Sequence, residues 1–213
     1  MSHAFIDRWV ERFDTVYDQT ALGQVPWFTA SPGLKVIEAV VTGLIKRGDR
    51  VVDLGCGPGC DAVFLASAGV HTVAVDRDET ALRKARQLAD WAGVIVELVH
   101  GDILDTGLPA ASFDVVNDSF VFHNVRAEAR PAYAAEARRI LKPGGTLLVS
   151  AFSDRMVAGT GPLRISAAEL FEAFRPAEWE CLALENYRNL PTEARPGQFH
   201  WFGVFRKREE PAA

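Results

Sequence analysis

Apolar positions in the first part of the chain recur at threes and fours. Phe5, Ile6, Trp9, Val10, Phe13, Val16 and Tyr17 fall on one face of a helix. Residues 23–31, G-Q-V-P-W-F-T-A-S, fit neither helical nor strand period and read as a loop. Ser31 followed by Pro32 is a start signal, a hydroxyl to cap free N–H groups and then a preset φ. Leu34, Ile37, Val41, Leu44 and Ile45 continue that helix, and Gly48-Asp49 stops it. From residue 50 the pattern alternates. Short β-branched runs at 51–54, 71–75, 94–99, 113–116 and 146–152 are separated by segments with helical spacing. Asp78 caps one of those helices, Gly93 ends it, and Lys142-Pro143-Gly144-Gly145 breaks the helix over 128–141. Such alternation predicts βαβ units and a parallel sheet covered on both faces.

Beyond residue 152 the pattern changes. A Gly-rich loop covers 154–163, Ser166 caps a helix to residue 174, and two strand-like runs cover 177–187 and 198–206. The segment between those runs is too short for a helical crossover, so they are expected to pair antiparallel. The expectation is an α/β, doubly wound, mostly parallel sheet of seven strands with one antiparallel strand near the C-terminus. No repeat, linker or low-complexity tract divides the chain.

Chemistry concentrates at the strand ends. R-V-V-D-L-G-C-G-P-G-C-D-A places Gly55, Gly57 and Gly59 between a strand and a helix, where a chain must turn tightly and approach a ligand. Asp53, Asp76, Asp102, Asn117 and Asp118 stand at the carboxyl ends of strands, the ligand edge of an open parallel sheet. Asp76 lies 21 positions after Gly55, close to the offset at which an acidic residue meets a ribose. A nicotinamide fingerprint would place a third glycine at Cys60; the spacing here is G-x-G-x-G. Cys56 and Cys60 have no partners at metal-ligand spacing, so no metal is expected.

Taken together, D-L-G-C-G-P-G, V-A-V-D, G-D-I, F-D-V-V-N-D and L-K-P-G-G resemble the class I S-adenosylmethionine-dependent methyltransferases over about residues 51–150. P-W-F-T-A-S-P-G-L, G-C-G-x-G-x-D-A-V, D-S-F-V-F-H-N-V and G-P-x-R-I-S-x-x-E-L are similar to the thiopurine, thiol and halide branch of small-molecule methyltransferases. That resemblance implies a Rossmann-like fold in one methyltransferase domain over 1–213. An N-terminal arm (1–30) closes over the cofactor, and loops 154–165 and 188–197 lie on the substrate side.

The resemblance also implies roles. Gly55, Cys56, Gly57 and Gly59 line the methionine end of S-adenosylmethionine, which Asp53 helps orient. Asp76, with Arg77 beside it, holds the ribose; Asp102 and Ile103 meet the adenine edge; Asn117 and Asp118 sit near the sulfonium. Trp27 belongs to the closing arm. The acceptor side comprises Phe28, Phe120, Phe122, His123 and Phe152. His123 is the candidate general base, because imidazole titrates near neutrality, with Asp118 as a second catalytic group.

Composition trims these options. Lys and Arg total 23 against 28 Asp and Glu, a net charge of −5 that provides no field for nucleic acid. Three cysteines, an odd count, suit a reducing compartment, and the N-terminal segment is amphipathic rather than signal-like. No apolar run is long enough to span a bilayer. The expectation is therefore a cytoplasmic monomer or homodimer, without nucleic-acid or membrane partners, that yields S-adenosylhomocysteine and methylates the S or O of a thiol or aromatic hydroxyl. A catalytically silent cofactor-binding module on the same fold is the alternative.

Overall fold

The computed structural model describes residues 10–25, 28, 30–157, 163–189 and 197–209. Trp27, residues 1–9 of the expected arm, and the centres of the two substrate-side loops lie outside them. Its strands are β1 (Arg50–Leu54), β2 (His71–Asp76), β3 (Glu97–His100), β4 (Phe113–Ser119), β5 (Leu141–Phe152), β6 (Trp179–Arg188) and β7 (Phe199–Lys207). Its helices are α1 (Val10–Gln19), α2 (Leu34–Val41), α3 (Cys60–Ser67), α4 (Glu79–Ala92), α5 (Arg130–Ile140) and α6 (Ala167–Ala173).

All seven strands form one sheet in the order β3-β2-β1-β4-β5-β7-β6. The first five in that order pair parallel. β7 runs antiparallel to both β5 and β6, so it alone is reversed, as the sequence predicts. β1 is flanked by β2 on one side and β4 on the other. The strand order reverses there, and a crevice opens beyond the strands' carboxyl ends.

Because side chains alternate across a strand, register decides what faces what. Val51, Val115, Leu148 and Val204 pack with Val36 and Ala39 of α2 and Leu65 of α3 on one face. Val52, Leu54, Val116, Leu147 and Val149 pack with Tyr133 and Ala137 of α5 and Leu170 of α6 on the other. Asp53 and Asn117 are paired neighbours and therefore share the first face; Asp118 turns to the second. Residues adjacent in sequence thus serve opposite sides of the sheet.

Several ends match their local signals. Asp78 accepts the N–H groups of Thr80 and Ala81, and Ser166 forms a capping box with Glu169. Both boundaries of α2 differ, and β5 begins at Leu141 rather than at residue 146. Ser31 does not cap α2; its hydroxyl donates to the Pro32 carbonyl, and the helix begins at Leu34 after Gly33. The reason is tertiary: the Gly33 N–H donates to Asp61 Oδ1 at 2.6 Å. The same helix ends at Val41 rather than reaching Ile45, because Gly43 takes a left-handed φ of 76°.

Candidate functional site

Between β1 and α3 the chain reverses through two tight contacts. Gly55 has φ +67°, and a Cβ there would lie 2.6 Å from Val121 Cγ2. Gly59 has φ +83°, and its Cβ would lie 2.8 Å from the Ala85 Cβ of α4. Only glycine satisfies both conformation and space at these points. The Gly55 and Cys56 N–H groups both donate to the Val75 carbonyl, tying the turn to β2. Asp76, at the end of β2, accepts the N–H of Gly57 on Oδ2 at 2.8 Å and that of Asp78 on Oδ1 at 2.9 Å. Two bonds leave acceptor capacity on the same carboxylate.

Beside the turn lies a buried acidic cluster. Asp53 Oδ1 accepts from Asn117 Nδ2 at 2.8 Å. Asp61, in the first turn of α3, also bonds the side chains of Ser119 and Asn117. Burial pushes the Asp53 carboxyl well above its usual range, the negative charge of Asp61 adds to the rise, and the Asn117 bond opposes it. Burial likewise raises Asp61 and Asp76. Among the described residues, no Lys, Arg or His nitrogen lies within 4.0 Å of these three carboxylates. The nearby Arg77 charge opposes the rise at Asp76, whereas Asp53 and Asp61 are desolvated without such help, which is costly and which a cationic ligand relieves. S-adenosylmethionine carries a sulfonium and an ammonium, so the residues present fit it.

Other expected contacts fall out variously. Asp102 is half-buried and accepts the Leu104 N–H, whereas the Ile103 side chain enters the main core. Arg77 lines a shallow surface cleft with Thr15, Asp18 and Glu79. The Cys56 thiol is pushed up by burial and by Asp76 and Asp53, and burial with the charge of Asp61 pushes Cys60 up to about 12, so neither is a thiolate. Among the described residues no cluster has the makeup of a metal site.

Three residues require correction. Phe122 is fully buried, with its ring 5.6 Å from Tyr133 and 5.1 Å from Phe174, and belongs to the core rather than a substrate wall. Phe28 packs on Tyr17, Val25 and Ala81, bridging α1 and α4 instead of meeting the other site rings. Asp118, expected as catalytic and near the sulfonium, faces the opposite side from Asn117. Its Oδ1 accepts the N–H groups of Val121 and Phe122, and its Oδ2 accepts the Tyr133 hydroxyl at 2.5 Å. Burial raises it to about 6 against those bonds. It anchors the turn after β4.

Farther along the face of Asp53 and Asn117, rings pack into an aromatic cluster. Phe152 pairs with His200 across β5 and β7, and His200 pairs with Tyr187 across β7 and β6. His123 stacks on Phe152 with centroids 4.2 Å apart. Phe120 lies edge-on to His200 at 4.8 Å, held there by a non-glycine φ of +68°. A residue held in this strained region is a common mark of a built site. Tyr187 shares a side-chain hydrogen bond with Ser150, and burial pushes its phenol up to about 12. Behind this wall the Lys35 ammonium pairs with Glu38 and Glu185 and lies 5.2 Å over the Tyr187 ring.

The geometry does not suit His123 to act as base. The Phe152 N–H donates to its Nδ1 at 3.3 Å, which assigns the neutral ring's proton to Nε2. Burial, with His200 nearby, lowers its pKa to about 3. His123 is thus a neutral donor. Sequence reasoning missed Asp61, Ser119, Ser150, Tyr187 and His200. Asp61 had a visible signal in G-x-D-A-V; the other four depend on strand register.

The match to known proteins agrees with this geometry. Residues 51–145 match the family described as methyltransferase domain. The chain is 28% identical to a probable thiol methyltransferase 2 from Arabidopsis thaliana, over 76% of this chain and 72% of that protein. A solved structure described by the conversion of a disulfide bond into a thioacetal group during echinomycin biosynthesis superposes with a TM-score of 0.80 at 26% identity, covering 94% of each chain. Burkholderia thailandensis 1,6-didemethyltoxoflavin-N1-methyltransferase, solved with bound S-adenosylhomocysteine, shares the fold at a TM-score of 0.74 and 22% identity, over 93% of this chain and 87% of that one. With its glycine turn, its buried carboxylates and its reversed seventh strand, the chain carries a methyltransferase domain over residues 51–145 and is similar to the class I S-adenosylmethionine-dependent methyltransferases, near the thiol-type small-molecule enzymes.

Proposed function

We propose that this enzyme methylates the sulfur or oxygen of a small, neutral thiol or aromatic hydroxyl compound. The observation that carries the reading is the aromatic cluster of Phe120, His123, Phe152, Tyr187 and His200, read as the walls of an acceptor chamber, on the face shared with Asp53 and Asn117. Its two imidazoles are held neutral and its phenol is held protonated, so the wall carries no charge to recognise an ionic acceptor. A thiol-type relative supports the same class.

When bound, S-adenosylmethionine supplies a methyl group activated on a sulfonium. Asp53 and Asp61 hold the cationic methionine end against the turn at Gly55, Cys56, Gly57 and Gly59. Asp76 uses its remaining lone pairs for the ribose hydroxyls; Asp102 and the backbone of Ile103 meet the adenine edge. Asn117 keeps the Asp53 carboxylate aimed. Little charge develops during transfer from a cation to a neutral acceptor, so alignment and exclusion of water supply most of the rate, up to about 7–11 kcal/mol in well-oriented cases. Phe120 and Phe152 provide the apolar surfaces that align a flat acceptor. A single methyltransferase domain carries both sides of the site.

The test incubates the protein with methyl-labelled S-adenosylmethionine and a panel of alkyl thiols, aryl thiols, phenols and quinols. The expected result is labelled thioether or aryl ether detected by mass spectrometry. Binding of the cofactor without labelled product from any thiol or hydroxyl overturns the proposed acceptor class.

A further inference from the structure

His200 has no part in the sequence-level expectations, yet it occupies the centre of the chamber. It lies in β7, the reversed strand, on the same sheet face as Phe152 and Tyr187. Its ring meets Phe120, Phe152 and Tyr187 at centroid distances of 4.8, 5.3 and 5.6 Å. Only 5% of the residue is exposed, and Nδ1 is buried with no hydrogen-bond partner. Leaving a buried polar atom unmatched costs about 1–3 kcal/mol, so such an atom requires an explanation.

We infer that His200 receives the acceptor's proton during methyl transfer and thereby selects acceptors with an ionisable S–H or O–H. This rests on the reading of the chamber as the acceptor site. His123 is already committed by the Phe152 N–H, and Asp118 by Tyr133 and two backbone N–H groups. Tyr187 is a protonated phenol tied to Ser150. Among the described residues, the titratable groups facing His200 are therefore His123, from the turn after β4, and Tyr187, from β6, beside the rings of Phe120 and Phe152. Among the described residues of this cluster, His200 alone combines a basic nitrogen with a buried hydrogen-bonding position that has no partner.

The charge balance suits this role. The acceptor's lone pair forms the new S–CH3 or O–CH3 bond, and the methyl-to-sulfonium bond breaks with its electrons remaining on the donor sulfur. The electrons of the S–H or O–H bond stay on the acceptor, and the proton passes to the His200 imidazole and then to solvent. Before transfer the imidazole faces a cation and stays neutral, in keeping with a pKa that burial already lowers to about 4. After transfer that cation is gone, and the ring can carry a positive charge that the site held before. One charge is present on either side of the step.

The experiment compares wild type with His200→Phe, which keeps an aromatic ring in the chamber. A series of aryl thiols and phenols with pKa values spanning the assay pH serves as acceptors, and kcat/KM is plotted against acceptor pKa. The variant is expected to lose least on acceptors already ionised and about 10²–10⁴-fold on those still protonated. His200→Gln, which accepts a hydrogen bond but not a proton, is expected to follow the same slope. A uniform loss across the series, or no loss on protonated acceptors, overturns the inference. Ring-15N spectra of the S-adenosylhomocysteine complex supply a readout apart from turnover. Adding an aryl thiol is expected to shift the unprotonated His200 nitrogen, and a response at His123 alone overturns the inference. Turnover of ionised acceptors reports on the acceptor site itself, whereas the slope with pKa reports on His200.

Discussion

Asp53→Asn separates the needs of binding from those of folding. The side chain is 2% exposed, and an asparagine there retains an oxygen to accept the 2.8 Å bond from Asn117 Nδ2. What it removes is a negative charge beside Asp61, where neither carboxylate forms an ion pair among the described residues. A cation about 4 Å from such a carboxylate gains roughly 4 kcal/mol at an effective dielectric of about 20. Part of that is spent keeping the carboxyl ionised against its raised pKa, leaving a net loss of about 2–3 kcal/mol. The dissociation constant for S-adenosylmethionine should therefore rise about 30–150-fold. The ligand-free protein should respond in the opposite direction. A carboxyl raised on folding binds its proton more tightly in the folded state. It therefore lowers stability as pH climbs from the ordinary carboxylate range through the raised value. Removing the carboxyl should stabilise the ligand-free fold at neutral pH, with the melting temperature rising about 2–4 °C per kcal/mol regained. Calorimetric titration and a thermal melt on the same sample measure both effects. Unchanged affinity, or a lower melting temperature without ligand, refutes the reasoning.

Other perturbations test other parts of the site. Gly59→Ala places a Cβ 2.8 Å from Ala85 Cβ and 3.2 Å from its Cα, at φ +83°, and should destabilise the fold by at least about 2 kcal/mol in denaturant titrations. His123 and His200, lowered to about 3 and about 4, should keep neutral-imidazole NMR shifts down to pH 5; a midpoint between 6 and 7 for either ring contradicts the burial argument. Phe122→Ala should cost about 3–5 kcal/mol of stability. Phe120→Ala should instead lower turnover while S-adenosylhomocysteine affinity holds, as its ring faces Phe152 and His200. Tyr133→Phe removes the hydroxyl bonded to Asp118 and should lower stability by about 1 kcal/mol without changing the pH–rate profile.

Much of this was legible in the sequence for identifiable reasons. The strand runs, the glycine turn and the caps at Asp78 and Ser166 are local signals, and local forces decide them. Antiparallel pairing of the last two strands follows from the length of their connection. The failures share one cause. Asn117 and Asp118 are neighbours with the same expected place near the sulfonium, yet the pleat sends one to the side of Asp53 and the other to Tyr133. Phe122 and His123 diverge in the same way within one short turn. The spacing of aromatic residues cannot say which face a strand-end ring takes. His200 was invisible because its position depends on β7 entering between β5 and β6. Asp61 was within reach: its place in the first turn of α3, beside the glycine turn, set it against Gly33 and Asn117.

The central claim is that an uncharged chamber beside a cation-holding cradle transfers methyl groups to neutral S–H and O–H acceptors. Its most direct test measures kcat/KM for thiophenol, phenol, aniline and benzoate, matched in ring size, with the intact protein and S-adenosylmethionine. Thiophenol should rank first and phenol second, with the amine and the carboxylate far behind. Preference for benzoate or aniline would contradict it.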